Sequence, residues 1–286
     1  MIKIILVPVG GGGSDHAVLE TARVAASPFA AHLSIFHVRL GAGEAALNTP
    51  HADFARGEAI SNELDTNANV RSAAAEQHVR EFCDQWRIPI VKAPTAANRV
   101  TASFREEHGH GAERLMARAR VSDLVVLARF THPNGLPLDL PEQLVRGSGR
   151  PILFAAPSVA PRPLRTIMVC WKDAPEPARA LGAALPYLAN AESLVVVTVD
   201  EGDAVGSDTA EDVAAYLGWH GIRAQPQSRA GNGRPTAAVL AAAASEINAD
   251  LLVMGSFGHG RARSMIFGSC TQAMLHSAEL PIFLVH

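Results

Sequence analysis

The chain has 286 residues and a formal net charge of −3, with hydrophobic residues at 48%, charged residues at 19% and aromatics at 5%. That length suits two domains of ordinary size, and the apolar content excludes a disordered polyelectrolyte. The charge balance lacks the basic excess with which a general nucleic-acid binder neutralises phosphates. Cys83, Cys170 and Cys270 lie far apart without a CxxC pair, which argues against a zinc framework or a disulfide scaffold and fits a reducing compartment.

The opening run Lys3-Ile4-Ile5-Leu6-Val7-Pro8-Val9 is too short for a signal h-region and is broken by Pro8. Nowhere do 18 uninterrupted apolar residues occur, so no membrane span is expected and the chain reads as cytoplasmic. A glycine turn, Gly10–Ser14, and an alanine-rich amphipathic stretch lead to a second apolar run, His32–Val38. Gly41 to Asn69 is rich in Gly, Ala, Asn and His and has weak periodicity. The polar stretch Arg105–His110 reads as an exposed loop, although His108-x-His110 has a spacing that suits a metal. Ser122–Leu127 and Arg150–Phe154 supply two more apolar runs. Pro157, Pro161 and Pro163 then favour extended chain and mark a domain boundary, giving domains 1–157 and 164–286.

Beyond that seam the pattern repeats. Arg165–Trp171, Ser193–Val199, Ala249–Met254 and Leu280–Leu284 match the earlier runs in order, which argues for duplication. Between them, Ala178, Leu181, Leu185 and Leu188 fall on one helical face after a capping box at Asp173-x-x-Glu176. Residues 209–220 and 235–247 read as two further helices, the latter with Pro235 in its first turn. Ile4 to Pro151 is longer than Ile167 to Pro281, and the excess falls in Gly41–Asn69. Apolar runs without polar alternation point to strands buried on both faces. The fold class is α/β: two tandem doubly wound parallel-sheet domains with five strands each, whose ligands sit outside the carboxyl ends of the strands.

That rule singles out the loop after Met254, Gly255-Ser256-Phe257-Gly258-His259-Gly260-Arg261-Ala262-Arg263-Ser264-Met265-Ile266-Phe267-Gly268-Ser269. Gly255 and Gly258 allow a sharp turn and a close approach to a ligand. Gly268-Ser269 opens a helix, where free N–H groups and the positive dipole end favour phosphate and the Ser269 hydroxyl adds a donor. Arg261 and Arg263 are further candidates for phosphate, against the plainer reading of solvated loop charges.

The spacing Gly-x2-Gly-x9-Gly-Ser after a strand resembles the universal stress protein family, UspA type, in its nucleotide-binding branch, and the whole chain resembles a tandem member with adenine nucleotide alpha hydrolase-like domains. The resemblance implies ATP, or ADP or AMP, bound in the second half, with Mg²⁺ left open. Gly255, Gly258, Gly268, Ser269 and the Cys270 N–H would hold ribose and phosphates, and Val199 takes the position that touches adenine. Lys172 stands where the family carries an acidic residue and Asp173 follows it; Lys172 would then attract phosphate. The resemblance also implies pairing of Ile282–Val285 with Ile152–Ala155, an intramolecular pseudo-dimer, with a homodimer as the alternative.

The first half has lost the pattern: Leu138 and Asp139 stand opposite Gly268 and Ser269, and a carboxylate there opposes phosphate. Gly10 replaces the family's acidic residue. The expectation is a vestigial site in a domain that serves structure or interaction. A dinucleotide fold is disfavoured because Asp15 replaces the third glycine of Gly10-x-Gly12, and neither GK[ST] nor GxSxG occurs. With no Asp or Glu between Gly255 and Gly268, a nucleotide-binding regulatory protein is preferred to the alternative, an enzyme that hydrolyses or transfers phosphate.

Overall fold

The computed structural model describes residues 1–39, 57–94, 98–109, 111–129, 139–157, 162–200, 209–256 and 267–286. Two compact units divide the chain, Met1–Arg150 and Pro151–His286.

In the first unit, strands β1 (Ile4–Val9), β2 (His32–Arg39), β3 (Thr101–His108) and β4 (Leu124–Leu127) alternate with helices α1 (Asp15–Ala26), α2 (Gly57–Trp86), α3 (Gly111–Arg120) and α4 (Leu140–Gly147). The strands form a parallel array in the order β3-β2-β1-β4, with Val9 opposite His37 and Ile5 opposite Leu124. Ile5, Leu6, Val7 and Val9 of β1 are fully buried because helices cover both faces. Each such burial is worth about 1.5–3 kcal/mol, so the central strands anchor the unit. β3 lies at the rim and is correspondingly polar.

The second unit begins with β5 (Ile152–Phe154), followed by β6 (Thr166–Cys170), α5 (Pro175–Leu188), β7 (Ser193–Asp200), α6 (Thr209–Trp219), β8 (Gln225–Ala230), α7 (Thr236–Glu246), β9 (Leu251–Gly255), α8 (Ser269–Ser277) and β10 (Ile282–Val285). Its strand order is β5-β10-β9-β6-β7-β8. All neighbours are parallel except β5, which runs antiparallel to β10 with Ile282 opposite Phe154 and Leu284 opposite Ile152. The pairing expected between these segments is therefore present. Tyr187 of α5 packs edge-on against Phe283, their ring centroids 6.0 Å apart.

Among the described residues the repeated βα order holds, with five strands before the proline seam and five after. Four details depart from the sequence reading. Residues 57–69 of the Gly41–Asn69 excess are helical and belong to the 30-residue α2, while 41–56 lie outside the described residues. The stretch read as a loop at Arg105–His110 is strand as far as His108, because it pairs with β2 at the rim; His110 is outside the described residues. The capping box does not form: Ala174 is the N-cap of α5 and no side chain caps it. Pro175 sets the helix start one residue later, its fixed φ and missing N–H suiting the first position, and Glu176 pairs with Arg179 at 3.1 Å. The buried face of α5 consequently runs through Pro177, Ala180, Leu181, Ala184, Tyr187 and Leu188, leaving Ala178 exposed.

Candidate functional site

The second unit reverses its winding at β6, which pairs with β7 on one side and β9 on the other. A doubly wound sheet opens a crevice at such a switch point, because the connections leaving the two strands depart to opposite faces. Three of the segments singled out from sequence converge there. The turn Trp171-Lys172-Asp173 leaves β6, Gly255 ends β9, and Gly268–Cys270 starts α8. The Thr271 hydroxyl, in the first turn of α8, donates to the Gly255 carbonyl at 3.5 Å and ties strand end to helix start.

Gly255 is required by packing. A Cβ there would lie 2.5 Å from the Pro177 nitrogen and 2.6 Å from the Glu176 carbonyl carbon, so the start of α5 passes directly over it. Gly268, the N-cap of α8, has φ −61° and ψ 160°, extended backbone open to any residue. No side chain caps α8, and Ser269 is exposed with Cys270 half-buried. The first N–H groups of an uncapped helix are the donors an anion uses. Lys172 and Asp173 are exposed in the turn after β6, and Val199 is half-buried near the end of β7. Gly258, Arg261, His259 and Arg263 lie outside the described residues.

Two groups at the crevice carry no sequence signal. The indole N–H of Trp171 is buried without a hydrogen-bond partner, although its backbone N–H donates to Val197 O at 2.8 Å. An orphaned buried donor costs about 1–3 kcal/mol and calls for an acceptor supplied from elsewhere. Ser256, fully buried, donates its backbone N–H to Val285 O at 2.7 Å, and its hydroxyl meets His286 Nδ1 at 3.0 Å. Arg179 Nε donates to the His286 carbonyl at 2.9 Å. This arrangement ties the ends of β9 and β10 together. Burial, with a smaller contribution from nearby Cys270, pushes the Cys170 thiol well above its ordinary value, so it stays protonated at neutral pH.

In the first unit the corresponding place, where β1 lies between β2 and β4, is filled by the chain itself. Gly11 has φ +71°, and a Cβ on it would sit 2.1 Å from Arg71 O, so α2 rests on the glycine turn. Asp15, 1% exposed, accepts from the Gly10 N–H at Oδ1 and the Gly11 N–H at Oδ2, 2.9 Å each, and His78 Nδ1 lies 3.0 Å from the same Oδ2. Ser72 of α2 donates to Glu106 of β3. The amides of the turn after β1 are thus taken by a carboxylate of the protein. At the start of α4, Asp139 is the N-cap and accepts from Gln143 Nε2 at 2.6 Å. Helix start matched to helix start, Asp139 stands opposite Gly268, one residue from the register counted from Pro151 and Pro281. Either way a carboxylate residue stands at the helix start, although it does not cap the helix N–H groups.

Among the described residues no helix is long and apolar enough to cross a membrane, and no group of three or more His, Cys, Asp or Glu could hold a metal.

Residues 163–286 match the model of the universal stress protein family. No curated protein matches the chain. A universal stress protein from Archaeoglobus fulgidus superposes with a TM-score of 0.69 at 16% identity, over 99% of this chain and 95% of that one. A functionally unknown protein from Pseudomonas aeruginosa superposes with a TM-score of 0.59 at 14% identity, over 99% and 92%. At these identities the likeness is one of fold.

Proposed function

Through residues 163–286 the chain belongs to the universal stress protein family, and from that premise we propose that its second half binds ATP or a related adenine nucleotide at the β6/β9 crevice. The observation that carries this reading is the uncapped start of α8 at the switch point, tied to the end of β9 through Thr271 and Gly255. Phosphate would rest on the N–H groups of Ser269 and Cys270 with the Ser269 hydroxyl, Lys172 would offset its charge, and Val199 would line the adenine side. The orphaned indole N–H of Trp171 is a donor such a ligand would satisfy. Gly258 and Arg261 belong to the same proposal on sequence grounds alone.

The bound nucleotide acts in this reading as a signal: the protein is a regulatory, stress-response factor and not an enzyme, with residues 1–157 a structural or interaction partner whose own site is closed. Native mass spectrometry of the full chain, before and after addition of ATP, counts the ligand directly. One nucleotide per chain is expected. Two would refute the closed first site, and none in excess ATP would reduce the glycine loop to a structural turn.

A further inference from the structure

Two of the three cysteines meet at the switch point on separate elements. Cys170 ends β6 and is buried, while Cys270 is the second residue of α8 and is half-buried. Their side chains lie on one face of the sheet. β7 and β10 stand on opposite sides of the β6/β9 pair, so right-handed crossovers set α5 on one face and α8 on the other. The Cβ direction of Gly255 runs into the start of α5, which turns its strand neighbour Met254 toward α8. Val169 pairs with Val253, so Cys170 falls beside Met254 and faces α8 as well. The Thr271 hydroxyl, one residue after Cys270, reaches the Gly255 carbonyl and holds the helix start over these strand ends. Cys270 also adds to the rise of the Cys170 thiol, as only a near neighbour does.

We propose that Cys270 is a site of oxidation by hydrogen peroxide or an organic hydroperoxide, and that Cys170 resolves it to a Cys170–Cys270 disulfide. Partial exposure admits a small oxidant, and an uncapped helix start answers the charge of a thiolate, the form that attacks it. First the Cys270 sulfur takes one peroxide oxygen. The O–O bond breaks, the sulfur is oxidised to a sulfenic acid, and the remainder leaves as water or alcohol. The Cys170 sulfur then attacks the oxidised sulfur: the S–S bond forms, the S–O bond breaks, and the hydroxyl departs as water with the Cys170 proton. Burial holds Cys170 protonated, so this second step is the slower one and quickens as pH rises. Bridged sulfurs stand about 2 Å apart, far inside van der Waals contact. The first turn of α8 is thereby drawn toward β6, carrying the N–H groups of Ser269 and Cys270 with it, and ATP binding weakens. That consequence rests on the nucleotide reading; the thiol chemistry does not.

The test treats the full chain, free of nucleotide, with hydrogen peroxide, then alkylates and maps it by proteolysis and mass spectrometry without reductant. A peptide joining Cys170 to Cys270, two hydrogens lighter than its halves and separated by dithiothreitol, is expected. Cys83 should stay a thiol, because burial and the nearby Asp84 push its pKa up to about 11. Cys170→Ala should leave Cys270 as a sulfenic acid captured by dimedone, with circular dichroism reporting that the variant is folded. In the unaltered chain, a Cys270 that remains a thiol, a bridge to another chain, or oxidation to sulfinic acid with Cys170 unlinked overturns the proposal. By calorimetry, ATP affinity should fall about tenfold in the bridged protein, as when a charge-assisted hydrogen bond is lost, and recover with reductant. Equal affinity overturns the effect on binding. A reduced chain that binds no ATP overturns the nucleotide reading alone and leaves the mapped bridge standing.

Discussion

The same topological place has opposite fates in the two units. Where β1 lies between β2 and β4, the turn amides of Gly10 and Gly11 are spent on Asp15, and α2 packs its Arg71 backbone against the turn. Where β6 lies between β7 and β9, the adjoining helix start is uncapped and an indole N–H is left unsatisfied. The difference lies in what answers the donors. In the first unit an internal carboxylate answers the two turn amides, which adds stability; in the second the buried indole N–H of Trp171 has no such answer. A fold that creates electropositive helix starts at every switch point must either neutralise them internally or leave them for a ligand.

The contrast can be broken most forcefully at Gly11. Gly11→Ala combines a left-handed backbone with a clash against main chain, so urea denaturation should show a loss of about 3 kcal/mol or more. A variant of ordinary stability would mean that α2 does not seal the turn. Next in size is Asp15→Ala, which strands two amides near the core. We expect about 2–3 kcal/mol of destabilisation in the same measurement. In the second unit, Ser269→Ala should leave folding intact because the residue is exposed, while ATP affinity by calorimetry falls about tenfold with the loss of a charge-assisted hydrogen bond. The matching change Asp139→Ala should leave that affinity unaltered, and equal effects would erase the asymmetry.

The smallest effect is acid sensitivity in the first unit. His32 lies between the hydroxyls of Thr101 and Ser103, each at 2.9 Å, and burial lowers its pKa below 6.5. The folded state thus takes up a proton less readily than the unfolded chain. Stability contributed at neutral pH is lost as pH falls through 6.5 and stops declining below the lowered folded value. His32→Asn should flatten the pH dependence of the urea midpoint between about pH 7 and pH 5. An unchanged slope would assign the acid sensitivity elsewhere.

Much of the fold was legible because buried parallel strands write themselves as uninterrupted apolar runs, as at Ile5–Val7 and Leu251–Met254. The first part of α2 was not, since Asp65, Thr66, Asn67, Asn69 and Val70 are exposed and bury no apolar face that would impose a period. Only later do Ala75, Val79, Phe82 and Cys83 turn inward. For the site, Gly268 and Ser269 were visible as a helix start after a glycine-bearing loop. Gly255 was visible as a glycine, but its cause, the passage of α5 overhead, is a tertiary contact with no local trace. Asp15 was read as a missing glycine, yet its role is to accept from the two amides before it. Trp171 and Ser256 acquire their importance only when distant strand ends are brought together.

The antiparallel ladder between β5 and β10 has a consequence for how such a gene could be divided. Ile152–Phe154 is encoded ahead of the proline seam but completes the sheet that follows it. The seam is therefore no place to separate the halves. Residues 164–286 alone would carry β10 with its outer row of amides and carbonyls bare, beside Ile282 and Phe283, which are fully buried in the intact chain. Such an edge recruits a strand from any neighbour that can supply one. Fusion of the two copies in one polypeptide fixes that supply at one strand per chain, at a high local concentration and independent of expression level.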